Sequence, residues 1–213
     1  MDQLSSARRD YGSSVLEEGN LPQSPMELLR NWVDQAIGSA MGDANAMDLA
    51  TIDDEGFPTS RIVLLRGITD EGLTFFTNYD SAKGAQIERL PKASANFFWT
   101  SLERQVRVRG IVQKLAGSDS DKYFSSRPRE SQIGAWASPQ STVISGRNEL
   151  DSLFAKKLLE FSKTKDIPRP ANWGGYSLKP NRIEFWQGRP SRLHDRLRCD
   201  SIDGKWCWTR LAP

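Results

Sequence analysis

The chain contains one histidine, and it lies in a short basic segment near the carboxyl terminus. Residues 192–196 read Arg-Leu-His-Asp-Arg. On an extended strand, residues two apart share a face, so the spacing predicts that Arg192, His194 and Arg196 project together. Two fixed positive charges beside a titratable imidazole suit the binding of an anion. The spacing alone is also compatible with a structural histidine on the solvated side of a strand.

Two further segments carry cations at the ends of predicted strands. Arg61 and Arg66 bracket an apolar stretch, and Lys83 lies where residues 77–84 pass from a strand into the start of a helix. The second segment also supplies hydroxyl groups and free backbone N–H groups, which together suit a phosphate. Each segment alone is compatible with solvated surface.

Another segment, residues 123–134, repeats polar side chains at intervals of four. Tyr123, Arg127 and Ser131 follow this spacing. Helical turns would gather them on one side, with a guanidinium between two hydroxyls, although Pro128 disturbs an ideal helix. Several anion-binding segments in a chain with a net charge of only +2 indicate that more than one phosphate is bound.

Composition excludes several classes of protein. With 38% hydrophobic and 26% charged residues in 213, the chain is typical of a globular protein with one core. No apolar run reaches the roughly 18 residues that span a bilayer, and the amino terminus has no signal pattern. We therefore expect no membrane contact and a cytoplasmic location. The balanced charge argues against a nucleic-acid partner.

Several familiar site motifs are missing from the sequence. It has neither the glycine-rich motifs of Rossmann and P-loop sites nor the G-x-S-x-G elbow of serine hydrolases. One histidine and two distant cysteines cannot build a metal site, so we expect no metal. Cys199 and Cys207 flank a predicted hairpin turn at Asp203 and Gly204 that does not place the thiols opposite each other. We therefore expect no disulfide.

The candidate residues need a strand-rich scaffold to position them. Ser24 to Glu27 form a capping box with a proline at the first helical position, and apolar residues follow at helical spacing. We predict strands over residues 47–52, 59–68, 73–78, 93–99, 105–115, 182–186, 191–198 and 205–211, and helices over residues 81–90, 118–126 and 148–165. This pattern indicates an α+β fold around one antiparallel barrel. Residues 1–20 are predicted to be a mobile segment, and residues 21–213 a single domain.

Motifs along the whole chain resemble those of the pyridoxamine 5′-phosphate oxidase family. They lie at residues 61–66, 103–108, 123–134, 173–176, 184–188, 192–196 and 210–213. The resemblance implies an FMN-binding split β-barrel, antiparallel with flanking helices, and a homodimer whose active sites are built from both subunits. It also implies oxidation of pyridoxamine or pyridoxine 5′-phosphate to pyridoxal 5′-phosphate, with O2 as electron acceptor and H2O2 released.

The resemblance also implies roles for individual positions. FMN contacts would fall on Arg61, Ile62, Val63, Leu64, Leu65, Phe76, Thr77, Lys83, Gln105, Gln140, Ser141, Trp186 and Arg196. Substrate contacts would fall on Arg66, Tyr123, Arg127, Ser131, Arg192 and His194, with Arg192 and His194 as the catalytic pair. Arg8 and Tyr11 match a pair that closes over the substrate. A phosphate on each ligand accounts for separate cationic clusters and for the lack of a metal.

Two positions depart from the family pattern. Arg66 stands where the family usually has lysine, and Ala82 stands where it usually has arginine, just before Lys83. Arg66 keeps the charge on a wider fork, so we expect altered substrate affinity. Ala82 removes a cation, so we expect weaker FMN binding unless Arg61 or a nearby residue compensates.

Two other functions remain open from the sequence. One is a different flavin or deazaflavin reductase on the same barrel, which would have no reason to keep Tyr123, Arg127 and Ser131 together with Arg192 and His194. The other is a non-catalytic flavin or pyridoxal phosphate carrier, which the changes at Arg66 and Ala82 would permit.

Overall fold

The first helix begins where the capping residues predict. In the computed structural model, which describes residues 10–12, 14–39 and 41–213, helix α1 spans Pro25–Gly38. The Ser24 hydroxyl accepts a hydrogen bond from the backbone N–H of Met26. One face of α1 is buried in the core, where Trp32 packs edge-on against Phe185.

Nine strands form one antiparallel sheet. They are β1 (Ala46–Ile52), β2 (Pro58–Leu64), β3 (Gly67–Thr69), β4 (Gly72–Asn78), β5 (Lys92–Trp99), β6 (Arg104–Lys114), β7 (Trp173–Gln187), β8 (Asp195–Ile202) and β9 (Lys205–Leu211). The order is β2-β1-β5-β6-β7-β4-β3, and β8 pairs with both β7 and β9. One long edge of β7 is shared, because β4 pairs with its first half and β8 with its second half.

The described residues also form four more helices and three short 3₁₀ turns. The helices are α2 (Ala82–Arg89), α3 (Gly117–Ser126), α4 (Arg129–Ala137) and α5 (Arg147–Glu160), and the 3₁₀ turns are Glu18–Asn20, Thr100–Leu102 and Pro190–Arg192. No helix among the described residues is long and apolar enough to cross a membrane. The predicted α+β class with an antiparallel sheet and flanking helices is confirmed.

The sheet curls around its apolar face without closing. Strand β2 comes into contact with β4, yet the two strands form no ladder in the described part of the chain. The core inside the curl includes Leu49, Phe75 and Val108, all fully buried. The gap between β2 and β4 leaves backbone groups at a strand edge that a ligand can use.

A one-residue bulge divides β7 into two halves. The pairing with β6 passes from Arg182 to Pro180, which leaves Asn181 without a partner in the ladder. The buried residues of β7 change from even to odd numbers at the bulge, so Tyr176 and Leu178 before it and Ile183 and Phe185 after it face the same core. On β6 the bulge lies at Gly110, where a Cβ would come within 1.9 Å of the carbonyl oxygen of Lys179. Glycine is therefore required there.

The predicted strand over residues 191–198 is wrong in its first half. Pro190–Arg192 form a turn in which Ser191 and Arg192 have positive φ angles of 56° and 60°, and β8 begins only at Asp195. The preceding proline and these left-handed residues prevent an extended start. The prediction that Arg192, His194 and Arg196 alternate on one strand face is therefore also wrong.

Other predicted elements differ in smaller ways. The predicted strand over residues 59–68 is two strands, β2 and β3, and the helical spacing of residues 123–134 is interrupted at Pro128, which caps a separate helix α4. The predicted turn at Asp203 and Gly204 is confirmed, with Cys199 opposite Trp208 and both cysteines free. The first half of β7 and all of α4 were not predicted.

The described part of the amino-terminal segment makes specific contacts. The backbone N–H of Leu16 donates to the Asp195 carboxylate at 3.1 Å. Arg210 on β9 pairs with both Glu18 and Asp195, and this pairing lowers the pKa of Glu18 to about 2. The mobility predicted for residues 1–20 stays a prediction, and residues 1–9 and 13 lie outside the described part.

Candidate functional site

A cavity of about 670 Å³ opens at the gap between β2 and β4. It brings together twelve of the residues predicted to contact ligands: Arg61, Ile62, Val63, Leu64, Arg66, Phe76, Thr77, Lys83, Tyr123, Arg127, Gln140 and Ser141. These residues come from two strands, the start of α2, the α3–α4 junction and the loop after α4. Segments that are distant in sequence therefore converge on one cavity.

Lys83 forms a buried positive charge at the start of α2. Its ammonium group donates to the hydroxyl of Thr77 at 3.2 Å and to the side-chain oxygen of Gln140 at 3.3 Å. Burial lowers the pKa of Lys83, and the nearby charge of Arg61 lowers it further. An anion beside the ammonium would relieve both effects, so this end of the cavity favours a negatively charged group.

Arg61 lies beside this lysine and is held by its own strand and by β1. Its guanidinium donates to the hydroxyl of Thr59 at 2.9 Å and to the carbonyl oxygen of Leu49 at 3.2 Å. Burial lowers the pKa of Arg61, and Asp48 opposes that shift. Arg61 is thus oriented before any ligand arrives, which reduces the entropy lost on binding.

A second cationic group lies at the α3–α4 junction. The Arg127 guanidinium lies 4.6 Å from the ring centre of Trp173. Its Nη1 atom is buried and has no hydrogen-bond partner within the described part of the chain. Burial lowers the pKa of Arg127, with Tyr123 opposing and Arg66 reinforcing that shift. A buried donor without a partner is costly unless a ligand satisfies it, so the site is suited to an anion.

An aromatic stack separates the cavity from the neighbouring surface. Phe76 and Tyr123 are stacked with ring centres 3.8 Å apart, and Trp173 lies parallel to both. Arg66 is exposed at the rim, with its guanidinium 5.9 Å from the Tyr123 ring centre. The cavity therefore combines flat apolar walls with two cationic groups, a combination that suits planar phosphorylated ligands.

A second group of predicted residues lies on the opposite half of the sheet. Gln105, Trp186 and Arg196 are directly opposite one another on β6, β7 and β8. Arg196 is paired with the buried carboxylate of Glu184 at 2.9 Å, and Glu184 also binds Arg107 at 2.6 Å. Glu184 thereby fixes the direction of the Arg196 side chain.

His194 adjoins this second group through ring contacts. Its ring centre lies 4.6 Å from that of Trp186 and 5.6 Å from that of Tyr11. Its Nδ1 atom accepts a hydrogen bond from the backbone N–H of Arg189 at 3.1 Å. Because an N–H only donates, the neutral ring carries its proton on Nε2. Burial lowers the pKa of His194, Arg192 lowers it further and Asp195 opposes, so the neutral form is favoured.

The two groups lie at opposite ends of β7. Trp173 lines the cavity, and Trp186 belongs to the second group. Thirteen residues of extended chain separate them, and at about 3.3 Å per residue this corresponds to roughly 40 Å of strand. Gln105, Trp186 and Arg196 do not line the cavity of their own protomer.

Some predicted site residues lie elsewhere. Leu65 is 6% exposed and belongs to the core, and Ser131 is half-buried on α4 without lining the cavity. Arg192 is exposed in the turn before β8, and Arg8 lies outside the described residues. The sequence reasoning assigned no role to several residues that line the cavity or orient its cations: Asn78, Gly134, Ala135, Ser138, Trp173 and Glu184. Trp173 and Glu184 lie in the quoted motifs, which were the available signal.

The described residues contain no group of three or more histidine, cysteine or carboxylate side chains that could hold a metal ion. The two cysteines lie on the β8–β9 hairpin and belong to neither group. Burial raises the pKa of the Cys199 thiol to about 12, which disfavours the reactive thiolate. The residues that line the cavity can bind anions and planar rings.

Comparison with known proteins gives consistent matches along the chain. A family model for pyridoxamine 5′-phosphate oxidase matches residues 33–156, and a model for the pyridoxine 5′-phosphate oxidase C-terminal dimerisation region matches residues 173–213. A pyridoxine/pyridoxamine 5′-phosphate oxidase of Pseudomonas savastanoi pv. phaseolicola is 50% identical over 99% of this chain and 98% of its own length. One from Synechocystis sp. is 48% identical, with the same coverage of both chains.

Solved structures agree with these matches. PhzG from Burkholderia lata 383, in complex with tetrahydrophenazine-1-carboxylic acid, has a TM-score of 0.88 and 31% identity, covering 95% of this chain and 100% of its own. A pyridoxamine 5′-phosphate oxidase-related, FMN-binding protein from Nostoc punctiforme has a TM-score of 0.72 and 18% identity, covering 91% and 100%. The second supports the split-barrel fold alone. Full-length similarity in sequence and in fold shows that this chain belongs to the pyridoxamine 5′-phosphate oxidase family.

Proposed function

We infer that this chain oxidises pyridoxine or pyridoxamine 5′-phosphate to pyridoxal 5′-phosphate with FMN as its cofactor and O2 as the final electron acceptor, releasing H2O2. The observation that carries this proposal is one cavity with two separate cationic groups and an aromatic wall. Two cationic groups suit two phosphorylated ligands, and the flat wall suits their rings.

The residues at the start of α2 fit the phosphate of FMN. Lys83, Arg61 and the Thr77 hydroxyl lie together there, and the amino-terminal end of a helix favours an anion. The unpaired edge of β2 offers backbone groups to the flavin ring. When bound, FMN supplies the two-electron oxidation.

The α3–α4 junction fits the phosphate of the substrate. Arg127 presents its buried Nη1 atom, with the Tyr123 hydroxyl and the Arg66 guanidinium nearby. A guanidinium and a phosphate match in geometry as well as in charge. This chain's residues therefore hold the two ligands side by side, and orientation is their main contribution to catalysis.

A complete site requires a second copy of the chain. The chain carries the family's C-terminal dimerisation region, and the second residue group belongs to that region and to β6. Since these residues do not line the cavity of their own protomer, we propose that Gln105, Trp186 and Arg196 of one copy complete the cavity of the other. His194 Nε2 would donate a hydrogen bond to a polar group of the substrate, and Arg192 would cover its exposed face.

Turnover of the purified protein tests this function. We expect bound flavin absorbance, and on addition of pyridoxamine 5′-phosphate in air we expect aldehyde and peroxide in equal amounts. Colourless protein that stays inactive with added FMN would refute the proposal. Equal turnover of pyridoxine without its phosphate would contradict the assigned role of Arg127.

Single substitutions distinguish residues that bind the substrate from residues that bind FMN. Arg192→Ala and His194→Gln should impair turnover or substrate affinity while FMN stays bound, whereas Arg196→Met should weaken FMN binding. Arg147→Met is a control, because Arg147 lies on the exposed face of α5 outside both groups. Loss of FMN from His194→Gln would argue against this division of roles.

A further inference from the structure

Tyr11 packs into a recess that Trp186, His194 and Gly188 border, called the seat below. Its ring is edge-on to Trp186 and to His194, with centres 5.6 Å away in both cases. Gly188 forms the floor of this seat, because a Cβ at that position would come within 2.8 Å of the Cβ of Tyr11. The amino-terminal segment therefore covers one side of the imidazole.

Glu103 connects this seat to the sheet. It is the residue between the Thr100–Leu102 turn and β6, and it is 6% exposed. Its carboxylate accepts a hydrogen bond at 2.8 Å from the backbone N–H of Gly12, the residue after Tyr11. Its backbone carbonyl accepts another at 2.8 Å from Gly188. One residue thus holds both the floor of the seat and the segment that occupies it.

The backbone at Glu103 is unfavourable for a glutamate. Its φ angle is +54°, in the left-handed region where residues other than glycine, asparagine and aspartate are uncommon. Glycine would suit this conformation better for local stability. A glutamate in this position suggests that its side chain contributes something that glycine cannot.

We propose that Glu103 is a positioning residue that holds Tyr11 against His194 by binding the backbone N–H of Gly12. The carboxylate does not line the cavity. Its effect reaches the substrate through Tyr11 and His194, so the kinetic part of this inference rests on the proposed function. The contact between Glu103 and Gly12 does not depend on that function.

The single histidine makes this proposal measurable without turnover. The groups that face His194 are the rings of Tyr11 and Trp186, the charges of Arg192 and Asp195, and the backbone N–H of Arg189. Burial is the main cause of its lowered pKa. Release of Tyr11 would expose the imidazole, so its pKa should rise toward the value of about 6.5 of a solvated histidine. Nitrogen NMR with labelled histidine gives one titrating residue.

The decisive variant is Glu103→Gly, which removes the carboxylate and suits the left-handed backbone. We expect the His194 pKa to rise, and KM for the phosphorylated substrate to rise about ten- to a hundredfold, the worth of one charge-assisted hydrogen bond. The effect on kcat should be smaller than that on KM. Glu103→Gln keeps an oxygen acceptor and should retain most of the wild-type His194 titration.

Two further variants keep the result interpretable. Asp203→Gly changes another left-handed residue, with φ of 49° in the β8–β9 turn, and should leave both readouts unchanged. Tyr11→Ala should reproduce the His194 shift, and combining it with Glu103→Gly should add nothing. A shift in Tyr11→Ala without one in Glu103→Gly would overturn the proposal. If the wild type forms no pyridoxal 5′-phosphate, the proposed function fails, and the NMR titration still decides the role of Glu103.

Discussion

Arg127 shows how a residue prepared for a ligand weakens the protein that carries it. One guanidinium nitrogen is buried without a partner in the described structure, and burial lowers the pKa of the whole group. Leaving such a donor unsatisfied costs about 1–3 kcal/mol. The cation–π contact of the Arg127 guanidinium with the Trp173 ring offsets part of this unfavourable free energy. The residue is therefore better explained by ligand binding than by stability.

Arg127→Met should separate these two contributions. We expect no loss in the free energy of unfolding without ligands, because the buried charge disappears, and about a ten- to hundredfold higher KM for the substrate. Arg129→Met on the next helix is the opposite case, since Arg129 donates to the carbonyl of Phe161. It should destabilise the protein by about 1 kcal/mol and leave KM unchanged. Urea unfolding and steady-state kinetics measure both effects, and an equal loss of stability in Arg127→Met would contradict the assignment.

Ala82 is the cavity residue where a cation is missing. It is exposed at the first position of α2, next to Lys83. Ala82→Arg should tighten FMN binding by roughly ten- to a hundredfold, the worth of one charge-assisted phosphate contact. Ala85→Arg adds the same charge to an exposed position of the same helix that does not line the cavity. Fluorescence titration with FMN compares the two, and equal affinity in Ala82→Arg and the wild type would refute the prediction.

The lowered pKa of Lys83 predicts how the affinity for FMN depends on pH. Its pKa is below the ordinary 10.5 in the free protein, and a bound phosphate dianion would raise it. Between the free and bound pKa values binding takes up a proton, so affinity should fall with rising pH, by up to about tenfold per pH unit. The decline should begin below pH 10.5. Titrations from neutral pH upward test this, and Lys83→Met should bind weakly with little pH dependence.

At the scale of elements, the start of α2 depends on a close approach to the preceding loop. A Cβ at Gly84 would come within 2.0 Å of the carbonyl oxygen of Tyr79. The neighbouring Ser81 caps the helix by accepting from the N–H of Gly84. Lys83, which faces the cavity, is therefore held in place by a neighbouring glycine that does not line the cavity itself.

Gly84→Ala should move this helix start. We expect a loss of about 1–3 kcal/mol in unfolding free energy, because backbone must shift to admit the methyl group, together with weaker FMN binding. Gly38→Ala is the matched control, since a Cβ there meets nothing within 4 Å at the end of α1. It should raise stability by up to about 1 kcal/mol. Thermal unfolding with and without FMN measures both, and unchanged FMN affinity in Gly84→Ala would contradict this account.

Elements with local signals were predictable from the sequence, and those set by distant contacts were not. The cap at Ser24 and the turn at Asp203 and Gly204 are encoded by neighbouring residues, so both were found. The first half of β7 carries glycines that packing against Tyr79 and Leu115 requires, and glycine weakens a strand pattern. The turn before β8 contains Ser191 and Arg192 with positive φ angles. Serine and arginine rarely adopt this conformation, so the residue types do not predict it.

The candidate site likewise contains residues that the sequence predicts and residues whose roles depend on distant contacts. Cations and hydroxyls near strand ends could be read as anion-binding groups, and twelve of the predicted residues do line one cavity. The resemblance supplied their individual roles. The roles of Glu184 and Glu103 could not be predicted, although both lie in the family motifs, because each acts through a backbone group or a side chain that only the fold brings near.

At the scale of the whole molecule, the outer face of the sheet is suited to a second copy. Phe98, Gln105, Trp186 and Arg196 are in register across β5 to β8, and Phe98 is 53% exposed. The dimerisation region contains two of these four residues. An exposed aromatic beside residues of the second group is expected where copies meet.

Phe98→Glu should therefore disrupt the dimer. We expect a monomer in analytical ultracentrifugation and loss of FMN binding, because charge would be buried at the interface and the cavity would lose its second half. Val143→Glu is the control, since Val143 is 95% exposed in the loop before α5. It should remain dimeric and yellow. A monomeric Phe98→Glu that still binds FMN normally would refute the shared site.

The unpaired Asn181 has a consequence for which sequences this fold can tolerate. If the ladder with β6 continued through Asn181 without the bulge, the second half of β7 would be out of phase with the first. Phe185 would then face outward, and the Glu184 carboxylate and Trp186 would turn into the apolar core. The same strand would keep its composition and its length, yet present an inverted surface. The bulge at Asn181 therefore keeps both halves of β7 facing one core, and we expect the bulge to matter more than the asparagine side chain itself.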